Sequence, residues 1–367
     1  MVTQILFKLE RSAEFLEGMS TKAEMIVLKK ISKKRDKKLK NGVKNFLEFF
    51  VISPVDIDPY GIIKKLEHLI NLEKERFNYF VDQVAPKFDS ETKANLTMGL
   101  SGAMSLYQVA KVVRHYVELI KKTKSINLAM IIQMQLPLIE MLGKALLRGT
   151  EALTNGWPIG DTIGAYVAAD LTGDSKIVEV DDETTVARKK YRNRDLIIIK
   201  AKGPGGRTGN PGKVLDEVSK KEKVAKIITI DAALKLEGEK TGSIAEGVGV
   251  AIGGVGVDKS YVEEVAIKKK IPLDTIIIKM GQEEAIMPMK ESIFNSLPKV
   301  MNAFNETIDR TTEKGKIIVV GVGNTSGVGN NRKEIEKTNK IINENIKKMK
   351  ALEKKKKRRF NFFSEWS

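Results

Sequence analysis

The sequence predicts an α/β protein, a three-layer, mainly parallel sheet with helices on both faces, preceded by an all-α helical module. Up to residue 153, apolar residues recur at helical spacing over long segments. After it, short runs rich in Ile and Val alternate with amphipathic segments, a pattern typical of parallel sheets covered on both faces. We therefore expect a helical module at residues 1–153, an α/β domain at 154–330, and a basic C-terminal helix and tail at 331–367.

Five segments of the helical module have helical spacing: residues 5–34, 43–52, 59–85, 90–124 and 128–153. Asp89 precedes the fourth segment and is a typical cap residue. The fifth segment is nearly free of charge up to residue 147, so we expect its apolar face to pack against the α/β domain. Met130, Met134 and Met141 in this segment are interpreted as core residues, because Met commonly fills gaps in cores.

The α/β domain is expected to alternate short strands with helices. Strands are predicted at residues 176–180, 184–190, 196–201, 224–230, 275–280 and 316–321, and helices at 211–220, 261–269 and 283–305. The polar, lysine-rich segment after residue 331 is expected to leave the domain and fray.

Two aspartates lie where loops or strands are predicted to lead into helices. Asp161 follows an irregular loop containing Pro158 and Gly160 and precedes an apolar helix. Asp231 ends an Ile-rich run, so a parallel sheet would place it at the carboxyl edge, where such sheets hold their sites. Two carboxylates at one edge form a candidate acid/base dyad. The alternative is that both only cap secondary structure.

A glycine-rich loop at residues 203–213 follows a predicted strand and precedes a helix, as phosphate-binding loops do. It lacks the spacing of a P-loop. Glu237 and Lys279 also fall near Asp231 in the predicted topology, and a partly buried Lys279 or Arg207 would keep one aspartate ionised. The predicted substrate- or anion-binding residues are Gly203, Gly205, Gly206, Arg207, Thr208, Gly209, Glu237 and Lys279.

Composition excludes several chemistries. The chain has no Cys, which excludes a disulfide scaffold, a thiolate zinc site and a cysteine nucleophile. Its two histidines, His68 and His115, both lie in the helical module, which argues against a Ser-His-Asp triad and a His-rich metal site. Asp161, Asp231 and Glu237 would suit Mg²⁺ if the fold brought them together, but the sequence does not place them on one ion. We predict no metal and no cofactor.

The formal net charge of +17 comes mostly from two runs. Residues 29–40 contain eight Lys or Arg and one Asp, and residues 347–359 contain nine and one Glu. Such runs are typical of solvated helix faces or of segments that bind an anionic membrane surface or nucleic acid. The tail continues with four aromatic residues, which favours a membrane surface over nucleic acid: Phe360, Phe362, Phe363 and Trp366. No uncharged apolar run reaches the roughly 18 residues of a membrane span. We expect a cytoplasmic location, with a peripheral membrane location as the alternative.

The order of these motifs resembles that of the bacterial spore germination protease, a relative of the hydrogenase maturation endopeptidases. The match runs from the loop at 155–157 into Asp161, through residues 203–209, to Asp231 and the glycine-rich stretch at 246–258. The resemblance implies the fold of the germination protease and an endopeptidase activity. It also implies that Asp161 and Asp231 are paired catalytic aspartates. The sequence departs from the pattern at Gly160, where the protease has Thr-Pro. The whole chain also resembles an archaeal protein family of this length, known as a domain of unknown function.

Two functional hypotheses follow. The first is a hydrolase, an aspartate-dependent endopeptidase that acts on a peptide or protein substrate. The second is a non-catalytic module that binds a nucleotide or another anion at residues 203–213 and is tethered to a membrane or nucleic acid by its basic ends. The position of Asp161 relative to Asp231 discriminates between them, because only a dyad needs both carboxylates in one cleft.

Overall fold

The computed structural model describes residues 2–34, 36–52, 61–251 and 256–364. The first part is a helical module made of α1 (Val2–Ile31), α2 (Lys37–Phe46), α3 (Ile62–Val84), α4 (Ser90–Thr123) and α5 (Ile126–Asn155). The predicted cap of α4 is confirmed, because Asp89 Oδ1 accepts a hydrogen bond from the Thr92 amide at 2.8 Å. α5 ends at Gly156, whose φ of 66° is the left-handed conformation that stops a helix.

The second part is an α/β domain with a seven-stranded sheet. Its strands are β1 (Ile177–Glu179), β2 (Thr184–Tyr191), β3 (Arg194–Ala201), β4 (Val224–Leu234), β5 (Ile244–Val248), β6 (Leu273–Met280) and β7 (Lys316–Gly321). They are arranged in the order β1-β2-β3-β7-β4-β6-β5. The four central strands are parallel, whereas β1, β2 and β5 pair antiparallel with their neighbours.

The predicted mainly parallel sheet is therefore wrong, and the sheet is mixed. On one side, β2 turns directly into β3 through Arg192 and Asn193, both with positive φ, as in a two-residue hairpin. On the other side lies β5, which the sequence analysis missed. Its residues are half-exposed or exposed, so it lacks the continuous apolar run of a central strand.

Helices cover both faces of the sheet. On one face lie α6 (Ile163–Thr172), α11 (Leu297–Asp309) and the first part of α12 (Arg332–Ser364). On the other lie α7 (Pro211–Lys221) and α8 (Val257–Lys269). The short helices α9 (Gln282–Ile286) and α10 (Glu291–Phe294) follow β6. Alternate residues of β3 belong to the two cores, Ile198 to the first and Ile199 to the second, so the sheet is buried on both faces.

The first half of α12 is part of the core, contrary to the expectation that this segment leaves the domain. Ile335, Ile342 and Ile346 are buried against the sheet-covering helices. The hydroxyl of Tyr166 donates to Asn339 Oδ1 at 2.7 Å. In the sequence these three isoleucines are widely spaced among lysines, so they did not indicate an apolar face. The side chains of the four tail aromatics lie outside the described residues.

α5 packs in two different ways along its length. Its C-terminal half lies against α9, where a side chain at Gly149 would collide with Ile286. Its N-terminal half exposes Met130, Met134 and Met141, so their interpretation as core residues is wrong. Within the described residues, α5 is the one helix long and apolar enough to cross a membrane, with a mean hydropathy of 1.4. Core helices of water-soluble proteins meet the same measure.

Candidate functional site

Asp161 lies in a single 3₁₀ turn, Gly160–Thr162, directly before α6. Its Oδ2 accepts a hydrogen bond from the Asn324 amide at 2.8 Å, in the loop that follows β7. It does not cap α6, whose N-terminus has no side-chain cap. The turn and the loop approach so closely that a Cβ at Gly323 would lie 2.1 Å from the Asp161 carbonyl oxygen. Glycine is therefore required at position 323 to bring these segments together.

A second close approach sets the start of α6 directly on the sheet. A Cβ at Gly164 would lie 2.3 Å from the carbonyl oxygens of both Ile230 and Val322. These oxygens belong to a residue inside β4, where its pairing with β7 ends, and to the residue after β7. Because Gly164 has no side chain, α6 can begin directly on the sheet. The turn before α6 then places Asp161 where β4 and β7 separate.

Asp231 lies at that same position, inside β4. β4 pairs with β7 only as far as Ile230, opposite Gly321, whereas it stays paired with β6 through Leu234. The prediction that Asp231 ends a strand and leads into a helix is wrong, because β6 continues to pair with β4 beyond it. Asp231 Oδ1 accepts from the Ala232 amide at 2.7 Å. Oδ2 is buried and has no hydrogen-bond partner among the described residues.

The two aspartates line one cavity of about 430 Å³ and differ in their surroundings. Burial, together with the nearby charge of Asp161, raises the pKa of the Asp231 carboxyl to about 8. Burial also raises the pKa of Asp161. In each carboxyl one hydrogen bond from a backbone amide offsets part of this effect, from Asn324 for Asp161 and from Ala232 for Asp231. The charge of the neighbouring carboxyl raises the pKa of Asp231 alone, so Asp231 is the member of the pair that holds a proton more readily.

The loop at residues 203–213 is not a free phosphate cradle. The amides of Gly203, Gly205 and Gly206 donate to side chains of Asn330, Glu91 and Asn95, at 2.8, 2.6 and 2.8 Å. Arg207 is buried and forms an ion pair with Glu91 at 2.7 Å. Side chains of the protein itself therefore occupy the donors of these four loop residues in the structure, and their binding of an external anion stays a prediction.

The remaining predicted residues divide into two groups. Thr208 and Gly209 line the cavity with Asp161 and Asp231. Glu237 is exposed and Lys279 pairs with Glu239, and neither lines the cavity. Among the described residues no group of three acidic or His side chains is placed to hold a metal ion, so the fold does not assemble Asp161, Asp231 and Glu237 around Mg²⁺.

Helix α3 contributes residues to the site that the sequence analysis missed. Glu67 accepts from the Tyr261 hydroxyl at 3.0 Å and pairs with Lys213 at the start of α7. One helical turn later along the same face, Ile70 also lines the cavity, followed by Lys74, which pairs with Glu183. The sequence offered one signal for these residues. Positions 67, 70 and 74 are three and four residues apart, so they share one face of a helix.

Family comparisons divide the chain at the boundary between α5 and the Asp161 turn. The model described as the N-terminal domain of a protein of unknown function, DUF1512, matches residues 1–156. The model described as the DUF1512 C-terminal domain of unknown function matches residues 159–329. The chain belongs to the DUF1512 family. No curated protein and no solved structure matches it significantly.

Both DUF1512 domains build the walls of the site. A second cavity of about 500 Å³ shares Ile70, Lys74 and Thr208 with the cavity of the aspartates. One wall of this second cavity is formed by α3 and α4 of the N-terminal domain, and the opposite wall includes Glu183 and Lys202 of the C-terminal domain. The two cavities are therefore neighbouring stretches of one groove, which we call the interdomain groove.

Proposed function

We propose that this protein is a hydrolase, and specifically an endopeptidase, in which Asp161 and Asp231 form the acid/base pair. The observation that carries the proposal is the unequal environment of two carboxylates at one cavity. Each carboxylate accepts one hydrogen bond from a backbone amide, but Asp231 also has a buried oxygen without a partner among the described residues and a pKa raised to about 8. A base and an acid that coexist at one pH are what amide hydrolysis requires.

The reaction uses one water molecule. The carboxylate of Asp161 accepts a proton from the water as its oxygen bonds to the amide carbon, and Asp231 gives its proton to the carbonyl oxygen. The tetrahedral adduct then collapses: the C–N bond breaks, the proton on Asp161 passes to the leaving nitrogen, and the adduct returns a hydroxyl proton to Asp231. Both carboxyl groups end in their starting states.

The order of motifs supports a peptide bond as the target, because it resembles that of the germination protease. The departure at Gly160 has a structural reason. A Cβ at this position would lie 2.2 Å from the Glu284 carbonyl oxygen, so the Thr-Pro of the protease does not fit this backbone. The interdomain groove is also open at its surface and long enough to be lined by two domains, as a chain-like substrate requires.

The proposal is tested by peptide hydrolysis. The parent protein, D161N and D231N are incubated with a proteome-derived peptide library, and new termini are identified by mass spectrometry. We expect cleavage by the parent and a loss of at least about a hundredfold in either variant, as for a missing general acid or base. D170N is the matched control, because Asp170 is an exposed carboxylate at the far end of α6. Cleavage that survives in both variants would contradict the proposal, and no cleavage by the parent would favour a non-catalytic binding module.

A further inference from the structure

The interdomain groove is acidic although the protein is strongly basic. Eight of its lining residues are Asp or Glu and five are Lys or Arg, in a chain of net charge +17. The five cations all have carboxylate partners, listed in the order of the chain: Lys74 with Glu183, Lys93 with Asp82, Lys202 with Glu179, Arg207 with Glu91, and Lys213 with Glu67. The positive charge of the groove is therefore already neutralised within the protein.

Five acidic side chains of the groove form no ion pair among the described residues: Glu73, Asp161, Asp182, Asp231 and Asp258. They are distributed along both stretches of the groove. Asp231 lines the groove and is the most enclosed of them, 3% exposed, and its Oδ2 has no hydrogen-bond partner among the described residues. A buried polar atom without a partner is costly, so it points to a ligand that supplies one.

Glu73 marks the stretch that lies away from the aspartate pair. It is half-buried on α3, and burial raises the pKa of its carboxyl with no cation to offset the effect. The half-buried apolar residues Ile70 and Met98 line the same stretch. This combination suits a Lys or Arg side chain, whose aliphatic stem would lie on Ile70 and Met98 while its charged end meets Glu73.

We propose that the interdomain groove binds an extended polypeptide segment that carries Lys or Arg side chains, and that Glu73 determines this specificity. The groove leads such a segment from Glu73, past Thr208, to Asp161 and Asp231. The inference rests on the proposed hydrolase function only for the fate of the bound segment, because the recognition of charge does not depend on cleavage.

Binding is measured on full-length D161N, so that no substrate is consumed. The probes are three fluorescein-labelled decapeptides of alternating sequence: Lys/Ala, Gln/Ala and Glu/Ala. We expect the Lys/Ala peptide to bind tightest by fluorescence anisotropy. Adding E73Q should weaken the binding of the Lys/Ala peptide about tenfold, because this peptide loses one half-buried charge partner. The affinity for the Gln/Ala peptide should not change. E75Q is the matched control, because Glu75 is exposed on α3 and does not line the groove.

D182N provides a second variant of the same groove at an exposed position, in case E73Q perturbs α3. D182N should also weaken the binding of the Lys/Ala peptide selectively. Equal losses in E73Q and E75Q, or tighter binding of the Glu/Ala peptide, would overturn the inference, since the basic surface would then dominate. Selective binding of the Lys/Ala peptide without any hydrolysis by the parent protein would sink the hydrolase proposal and leave this inference intact.

Discussion

At the scale of single residues, the environment of Asp231 is the most informative feature of the molecule. Its carboxyl is enclosed, one oxygen has no partner among the described residues, and the carboxyl of Asp161 lines the same cavity. Sequence reasoning found both aspartates, because each follows a recognisable loop or Ile-rich strand. It could not find their asymmetry, because that depends on the fold: the charge of Asp161 raises the pKa of Asp231, and Oδ2 of Asp231 is buried without a partner among the described residues.

This environment predicts a specific dependence of stability on pH. The pKa of Asp231 is near 4 in an unfolded chain and about 8 in the folded protein, so between these values the folded state binds the proton more tightly. Below pH 4, protonation of Asp231 in the folded protein adds on the order of 5 kcal/mol to the free energy of unfolding. This contribution is lost as the pH rises to about 8. We expect the melting temperature of the parent to fall over this range relative to D231N.

Comparison with D231N is needed because Lys200 acts in the opposite direction at higher pH. Lys200 is buried on β3, and burial lowers its pKa to about 7. Its ammonium donates to the Ala201 carbonyl at 2.6 Å and to Asn330 Oδ1 at 2.8 Å. The difference between the two melting curves isolates Asp231. Parallel curves from pH 4 to 8 would show that Asp231 is ionised in the folded protein.

At the scale of elements, helices with a long periodic apolar stripe could be predicted from the sequence, whereas elements with few apolar residues could not. Helices such as α4 carry both a cap and a continuous stripe, so the predicted bounds of 90–124 agree closely with Ser90–Thr123. β5 and the core half of α12 were missed because their apolar residues are few and their burial depends on partners distant in sequence. The same reason hid the contribution of α3 to the site. The helix itself was predicted at residues 59–85, but its residues reach the site only through the packing of one domain on the other.

The contact of α6 with the sheet gives a prediction at this scale. A methyl group at position 164 would collide with two backbone oxygens that cannot move independently. G164A should therefore lower the free energy of unfolding by about 2–4 kcal/mol and displace Asp161 from Asp231. G18A is the matched control, because Gly18 is in α1 with open space at its Cβ, and it should gain up to about 1 kcal/mol. Urea denaturation measures both, and equal stabilities would show that α6 adjusts freely.

At the scale of the whole molecule, the glycine loop joins the two domains. Its amides and Arg207 bind Glu91 and Asn95 of α4, and Gly149 of α5 packs on Ile286. The sequence suggested a phosphate cradle here because phosphate and carboxylate are recognised by the same donors. In this protein the carboxylate comes from the neighbouring domain, so the loop supports the groove instead of a free anion site.

The two domains should consequently unfold together. A chain of residues 157–351 would expose the α9 surface that α5 covers and would leave Arg207 without its carboxylate partner. We expect this chain to aggregate or to bind a hydrophobic dye, whereas the full chain melts in one transition. A cooperative, monomeric fold of residues 157–351 without dye binding would show that the helical module is dispensable.

The proton shared by the aspartates is the central claim, and difference infrared spectroscopy tests it without a substrate. The spectrum of D231N is subtracted from that of the parent protein at neutral pH, and the difference should contain the C=O stretch of a protonated carboxylic acid. This band should disappear with a midpoint near pH 8, where burial and the charge of Asp161 place the pKa of Asp231. A carboxylate band at neutral pH in place of the protonated one would contradict the account, because Asp231 would then have no proton to donate.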